Sequence, residues 1–350
     1  MRQDDHLCVI WRQPAERIEA TARSCYAAFG RHTDGATNGQ FPLKAILLER
    51  NPLVRRSIER CLRCAGYDPI AIEDPEQVAE HLSRADLLAA DTFDAEAIVH
   101  AIKARPGLKT LLWTAEPIER TLRFAAEHPE MSNILGRANF DTPPRSWEMM
   151  MVLRRLARPE EDGPKFAWFL DWGFSGFQER VDTTAKRDRL LSKVEEFALQ
   201  VGARQKVAEL FNGVTHELLM NAMFDAPVDA NGNHKFAANR KADLRLTSAE
   251  QPTLKIASDG SRLAIQVTDP FGGLTRDKVF EGLARGLTGG QLDTSHGGAG
   301  LGLTVIHNGT AMLFFDVVKG SKTEVTGVFE LGTSHRDFRL QPKSLHYFSR

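Results

Sequence analysis

The sequence has no surplus of either charge. Its 45 Lys and Arg nearly balance 46 Asp and Glu, for a formal net charge of −1 at pH 7. Electrostatics therefore give no reason to expect nucleic acid or an anionic membrane as a partner. Long apolar runs are also lacking, none approaching the roughly 20 residues that span a bilayer. The first residues, Met-Arg-Gln-Asp-Asp-His, do not have the pattern of a signal peptide. A cytoplasmic location is expected. Cysteine is scarce, with four in 350 residues (Cys8, Cys25, Cys61, Cys64), too few and too scattered for a disulfide framework. Cys61 and Cys64 form a CxxC inside a helical pattern with no βαβ redox context, so they read as helix thiols rather than a redox or zinc pair. His216-Glu217 has no second His at 220, where Met220 stands, which excludes a zinc-protease motif. The glycines after Ser295 follow Asp293-Thr-Ser-His296 and not a strand, which excludes a dinucleotide fingerprint.

What is present is enough for two or three domains. Hydrophobic residues make up 42% and charged residues 26%, a balance that supports a buried core and argues against wholesale disorder. Residues 1–40 form an extension without an assigned role. From 41 to 157 apolar strands alternate with amphipathic helices. Strands are expected at 45–48, 68–72, 86–90, 109–113 and 132–135, and helices at 52–65 and 75–82, with Gly66 closing the first. Repeated βα units imply a parallel sheet with helices on both faces. Ligands of such sheets sit at the carboxyl ends of the strands, where Glu49, Asp91, Thr114 and Arg137 fall.

This segment resembles the receiver domain of two-component response regulators. The resemblance implies a flavodoxin-like fold with an acidic pair for Mg²⁺, a phosphoacceptor Asp, a hydroxyl residue and a lysine. Glu49-Arg50 stands in the place of the acidic pair, Asp91 in that of the phosphoacceptor, Thr114 in that of the hydroxyl, and Arg137 in that of the lysine. Mg²⁺ prefers hard oxygen ligands, and Arg50 beside the single acid makes a poor metal site. The expectation is a pseudoreceiver, with Arg50 pairing with Asp91.

Residues 158–165, polar and with two prolines, read as a linker. The aromatic run 166–174 reads as a core strand, with a partner-facing patch as the alternative. Helices are expected at 185–199 and 206–224. On the second helix Glu217 and Asn221 are four apart, so they share one face at the edge of the apolar stripe. Polar groups there are costly unless paired or used. An Asn carbonyl can ligand Mg²⁺, and a Glu one turn earlier can take a proton from a nucleophile. Strands at 253–256 and 262–268 form a hairpin ending at Asp269, beside Gly272 and Gly273. In Ser295-His-Gly-Gly-Ala-Gly-Leu-Gly-Leu-Thr304, glycines stand at 297, 298, 300 and 302 ahead of an apolar segment. Glycine backbones opening a helix can cradle phosphate. A second hairpin, 312–318 and 323–331, follows.

Taken in order, Glu217 and Asn221, then Asp269 with Gly273, then Gly298-Ala-Gly-Leu-Gly302, then Thr323 resemble the Bergerat-fold (GHKL) ATP-binding domain over residues 166–332. The resemblance implies a two-layer α/β domain binding ATP and Mg²⁺. Asn221 would ligand the metal, Asp269 read adenine, and Thr323 support it through water. Gly297, Gly298, Gly300, Leu301 and Gly302 would wrap the phosphates, with 274–296 as a lid. The sequence departs from the family at Phe271, which replaces a glycine, and at Asp225, where relatives carry a basic residue. Lys235 or Arg240 can take over that charge. Residues 333–350 read as a C-terminal tail.

No helical-hairpin domain with its own histidine fits between 158 and 206, and His216 lies inside the Asn helix. The anti-sigma-factor serine kinase branch is the nearest resemblance. It implies a cytoplasmic bacterial-type signalling protein in which a receiver-like domain regulates a kinase-like one. Glu217 would act as base toward a Ser or Thr on a protein partner of the anti-sigma-antagonist or phosphotransfer type. Two alternatives stay open, a non-catalytic ATP-gated partner switch and a histidine kinase acting on a His of another chain. A homodimer is also open.

Overall fold

The computed structural model describes residues 42–287, 299–332 and 341–350. The chain is an α/β protein. Among the described residues eleven strands form one sheet in the order β2-β1-β3-β4-β5-β11-β9-β10-β8-β7-β6.

The first half is β1 (Leu43–Leu48), α1 (Pro52–Cys64), β2 (Tyr67–Ile72), α2 (Val78–His81), β3 (Leu87–Asp91), α3 (Ala95–Ala104), β4 (Lys109–Thr114), α4 (Glu119–Glu127), β5 (Asn133–Gly136) and α5 (Ser146–Ala157). Its five strands are parallel, in the order 2-1-3-4-5, which is the flavodoxin-like doubly wound arrangement. Local signals set the boundaries. Asn51 caps α1 by accepting from the Leu53 and Val54 amides at 3.0 and 3.3 Å, with Pro52 at the first helical position. Gly66 ends the helix at φ +97°. Residues 75–82, expected as one helix, break into 3₁₀ turns at Pro75–Gln77 and Leu82–Arg84 around the single turn of α2. Only Val78 and Leu82 are buried in this stretch, too narrow an apolar face to sustain a longer helix.

The second half is β6 (Ser175–Arg180), α6 (Thr184–Gln200), α7 (Gln205–Met220), β7 (Thr253–Ser258), β8 (Arg262–Asp269), α8 (Arg276–Leu287), α9 (Ala299–Gly309), β9 (Met312–Val318) and β10 (Lys322–Glu330). Strands β6 to β10 pair antiparallel, and α6 to α9 contribute to the apolar layer on one sheet face. The run at 166–174 is not a strand. It makes a 3₁₀ turn at Phe166–Phe169 over the opposite face. Phe169 is buried edge-on against Phe314 at 5.6 Å, while Trp168 and Trp172 point to solvent.

The two halves are joined by β11 (Ser344–Ser349), which lies in the stretch expected as a tail. It runs parallel to β9 and antiparallel to β5. Each sheet face therefore carries one apolar layer continuous through both halves. Helix α5 and Arg145 just before it add polar contacts to the second half, of which those of Glu148 and Arg155 are buried. Glu148 meets His346 of β11 at 2.9 Å, Arg155 meets Asp316 of β9 at 3.1 Å, and Arg145 meets Glu330 of β10 at 2.6 Å. On the other face Arg276, the first residue of α8, donates to Ser132 Oγ at 2.6 Å, to the His128 carbonyl at 2.9 Å and to the Ala125 carbonyl. It thereby supplies donors to the C-terminal end of α4.

Arg155 and Asp316 are each almost fully buried. Removing one member of such a pair leaves an uncompensated charge and costs about 3–5 kcal/mol. Arg155→Ala is expected to lower unfolding stability by that amount in chemical denaturation. An Arg155→Met, Asp316→Leu double substitution should recover most of it.

Candidate functional site

Two sets of polar residues gather, one in each half. In the first, Glu49, Asp91, Thr114 and Arg137 lie at the carboxyl edge of the parallel strands and all are buried. Arg137 fills the centre. One guanidinium nitrogen meets Glu49 Oε2 at 3.3 Å and another meets Asp91 Oδ2. Its guanidinium also lies 5.4 Å from the Phe140 ring centroid. Asp91 accepts the Phe93 amide at 2.7 Å. Burial raises the Asp91 pKa, with the Glu49 charge adding to it, while the Phe93 N–H and Arg137 oppose.

The expectation that Arg50 pairs with Asp91 is corrected. Just past the end of β1, Glu49 turns inward and is buried, while Arg50 turns outward and is half-exposed. Arg50 makes a bidentate pair with Asp94 at 2.8 and 2.8 Å, and Arg137 takes Asp91. The Thr114 hydroxyl closes a local turn, donating to the Glu116 carbonyl at 3.1 Å and accepting its amide at 3.0 Å. Glu49 Oε1 accepts the Asn51 amide at 2.9 Å. These residues do not fit a Mg²⁺ site, because a guanidinium already bridges the two carboxylates that would hold the ion.

The second set lies where α7, α9, β8 and β10 converge. Helix α7 passes at Asn221 into a π-helical turn, Asn221–Asp225, closed by the Ala226 amide on the Asn221 carbonyl at 2.9 Å. Such turns recur at functional sites because they re-aim side chains on an otherwise regular helix. This turn packs against β8. Helix α9 packs on α7 through glycines. A Cβ on Gly302 would stand 2.5 Å from Glu217 Oε2 and 4.0 Å from Asn221 Oδ1, and one on Gly309 would stand 2.4 Å from Val214 Cγ2. Gly302 thus brings α9 against both α7 carriers of the expected chemistry.

Asp269 ends β8 and stands in register opposite Thr323 of β10. It accepts the Phe271 amide at 2.9 Å. Burial pushes its pKa up to about 6, against the pull of the Phe271 N–H, the nearby Thr323 hydroxyl and the Gly272 N–H. Thr323 Oγ1 is buried without a hydrogen bond of regular geometry. A buried carboxylate with a threonine hydroxyl beside it suits a ligand that brings both a donor and an acceptor. An adenine edge has that chemistry, so these residues fit the nucleotide.

Gly272 is the glycine the turn requires. It has φ +63°, and a Cβ there would meet the Val318 carbonyl oxygen at 2.1 Å. Gly273 faces open space, so no contact within the chain demands glycine there. Of the two cations considered at 235 and 240, Lys235 pairs with Glu250 and Arg240 reaches the site, donating to Asn221 Oδ1 at 3.2 Å. Gly297 and Gly298 lie outside the described residues. Gly300 and Leu301 belong to the first turn of α9.

Among the described residues no group of three or more His, Cys, Asp or Glu side chains is gathered to hold a metal, and no helix is long and apolar enough to cross a membrane. A Mg²⁺ held by one protein oxygen and by phosphates needs no such group.

The Asp269 carboxyl sets a pH dependence. Its folded pKa of about 6 lies above the ordinary 3.8, so folding disfavours its ionised form. Its contribution to stability is fully present below about pH 4 and is lost as pH rises through 6, a swing of roughly 3 kcal/mol. Asp269→Asn should therefore match the parent near pH 4 and exceed its unfolding stability at pH 8, as read by denaturant titration at both pH values.

No family model matches the chain, and no curated protein does either. Among solved structures, a response regulator from Thermotoga maritima is similar at 15% identity and a TM-score of 0.29, covering 33% of this chain and 98% of that one. An orphan response regulator of H. pylori is similar at 19% identity and a TM-score of 0.29, covering 34% and 97%. The flavodoxin-like character of the first half stands on its own strand order and helix placement.

Proposed function

We propose that the chain is a signalling protein whose second half binds ATP with Mg²⁺ and whose first half is a receiver-like regulator that takes no phosphate. The observation that carries the first part is the approach of Gly302 to both Glu217 and Asn221. It unites the glycine-rich segment with the Asn helix, two stretches distant in sequence. The Asp269–Thr323 pair supplies a second, buried recognition point.

In this reading the Asn221 side-chain oxygen ligands Mg²⁺ together with phosphate oxygens. Asp269 accepts a hydrogen bond from the exocyclic amine of adenine, with Thr323 beside it. Glu217 takes the proton from a Ser or Thr hydroxyl of a protein partner. The nucleotide, when bound, supplies the transferable phosphoryl group. Arg276 and Tyr347 provide the route for regulation. Arg276 holds the start of α8 on α4 of the receiver-like half, and Tyr347 Oη donates to the Leu274 carbonyl at 2.8 Å. Helix α8 then packs against α9. A second reading, an ATP-gated switch without turnover, is favoured by Asp225, whose carboxylate lies one turn beyond Asn221 and opposes a phosphate chain.

ATP·Mg²⁺ at about 100 times its dissociation constant should stabilise the chain by about 2.7 kcal/mol, seen as a thermal shift whose Mg²⁺-dependent part is lost in Asn221→Ala. No shift at millimolar concentration rejects nucleotide binding. Glu217→Ala should retain the shift and lose phosphotransfer by about 10²–10⁴-fold. If the unsubstituted chain binds ATP but labels no partner, the switch without turnover is the correct form.

Arg137 supports the second part, because its guanidinium already pairs with both Asp91 and Glu49. Incubation with acetyl phosphate and Mg²⁺ is expected to leave the intact mass unchanged. Gain of one phosphoryl group that is absent in Asp91→Asn would restore an ordinary phosphorelay input.

A further inference from the structure

The loop of residues 226–252 leaves the π turn and brings Arg240 back over the end of α7. One of its terminal nitrogens donates to Asn221 Oδ1 at 3.2 Å and lies 3.3 Å from Asp225 Oδ2. Both distances exceed the roughly 2.7–2.9 Å of a tight charge-assisted bond. The Arg240 Nε is buried with no partner. A guanidinium carries five N–H donors in a rigid fork suited to phosphate. Here one nitrogen serves both partners, and the fork is incompletely used.

The surroundings make this cation more than a surface ion pair. Asp225 is partly buried, which raises its pKa. Arg240 is the largest charge opposing that rise, His234 and Lys278 also oppose it, and Glu217 reinforces it. Two carboxylates, Glu217 and Asp225, thus face the region assigned to the phosphates. A triphosphate entering there needs a cation on the protein, and Asp225 cannot provide it. Arg240 stands against the oxygen that the nucleotide reading gives to Mg²⁺.

Resting on that reading, we infer that Arg240 is a phosphate-binding residue of the site, paired with Asn221 and Asp225 and exchanging them for phosphate oxygens when Mg²⁺ takes the Asn221 oxygen. Asp225 then competes with the phosphates for the guanidinium, and the 226–252 loop responds to the phosphates rather than to the base. The exchange breaks two long contacts and forms bonds in the geometry the fork prefers.

The test is a set of binding isotherms for adenosine, ADP·Mg²⁺ and ATP·Mg²⁺ on the full chain. Arg240→Ala should weaken ATP·Mg²⁺ about ten- to a hundredfold, the range of hydrogen bonds to charged groups, and leave adenosine unchanged. Arg240→Lys should recover part of the loss, since a point charge lacks the fork. Asp225→Asn should tighten ATP·Mg²⁺ more when Arg240 is present than in an Arg240→Ala background. Equal tightening in both backgrounds would mean that Asp225 acts by repulsion alone, and would overturn the exchange. ATP affinity that is unchanged or raised in Arg240→Ala, with adenosine binding intact, overturns the assignment of Arg240 and leaves the nucleotide reading standing. Absence of binding of all three ligands to the unsubstituted chain removes both.

Discussion

The architecture depends on the hydrogen bonding of β11 to two strands at once. An exposed strand edge presents a row of unpaired N–H and C=O groups. Strand β5 would end one sheet with such an edge, and β9 would end the other. Strand β11 accepts both, antiparallel on one side and parallel on the other. With the edges joined, the apolar layers on each face run through, and two units that could have been tethered become one sheet.

The polar contacts then give the joined sheet a fixed register between halves. Helix α5 reaches three strands of the second half through Arg145, Glu148 and Arg155. Although Glu148 is fully buried, His346 and Arg145 hold its pKa below the ordinary carboxylate range. These pairs add directionality that apolar contacts lack, since a buried charge is satisfied only by partners at particular positions. On the opposite face Arg276 ties α8 to α4, so the helix leading toward the glycine-rich segment is held by the first half. The two candidate sites therefore share a scaffold without sharing a residue.

The parts legible in the sequence are those with local causes. Apolar periodicity and the Asn51 and Gly66 signals fix α1, and the four-residue spacing of Glu217 and Asn221 follows from helical geometry. The Asp269–Thr323 juxtaposition was readable only through a family resemblance, because strand register is a long-range property. Strand β11 was missed because its six residues mix Ser344, His346 and Ser349 with Leu345, Tyr347 and Phe348. Both faces of this strand are covered, a situation that usually reads as a continuous apolar run, and Ser344 and His346 interrupt that run. The identity of the cation at Asp91 was misread because Arg50 is the neighbour in sequence, while Arg137 is the neighbour in space. The π turn at Asn221 has no residue-pattern signature, and only the path of the long loop decides between Lys235 and Arg240 as the cation beside Asn221.

Strand β11 has a further consequence for how the chain is made. It comes later in the sequence than both edges it joins, so a nascent chain that ends near residue 330 has already synthesised ten of the eleven strands. The five parallel strands can collapse on their own helices as they emerge, yet β5 and β9 stay open to any other strand that reaches them first. Synthesis thus passes through an interval in which two unpaired edges coexist on one chain. Its length is set by the time taken to translate the residues between β10 and β11. Slow elongation there would favour pairing between neighbouring nascent chains over closure of a single sheet.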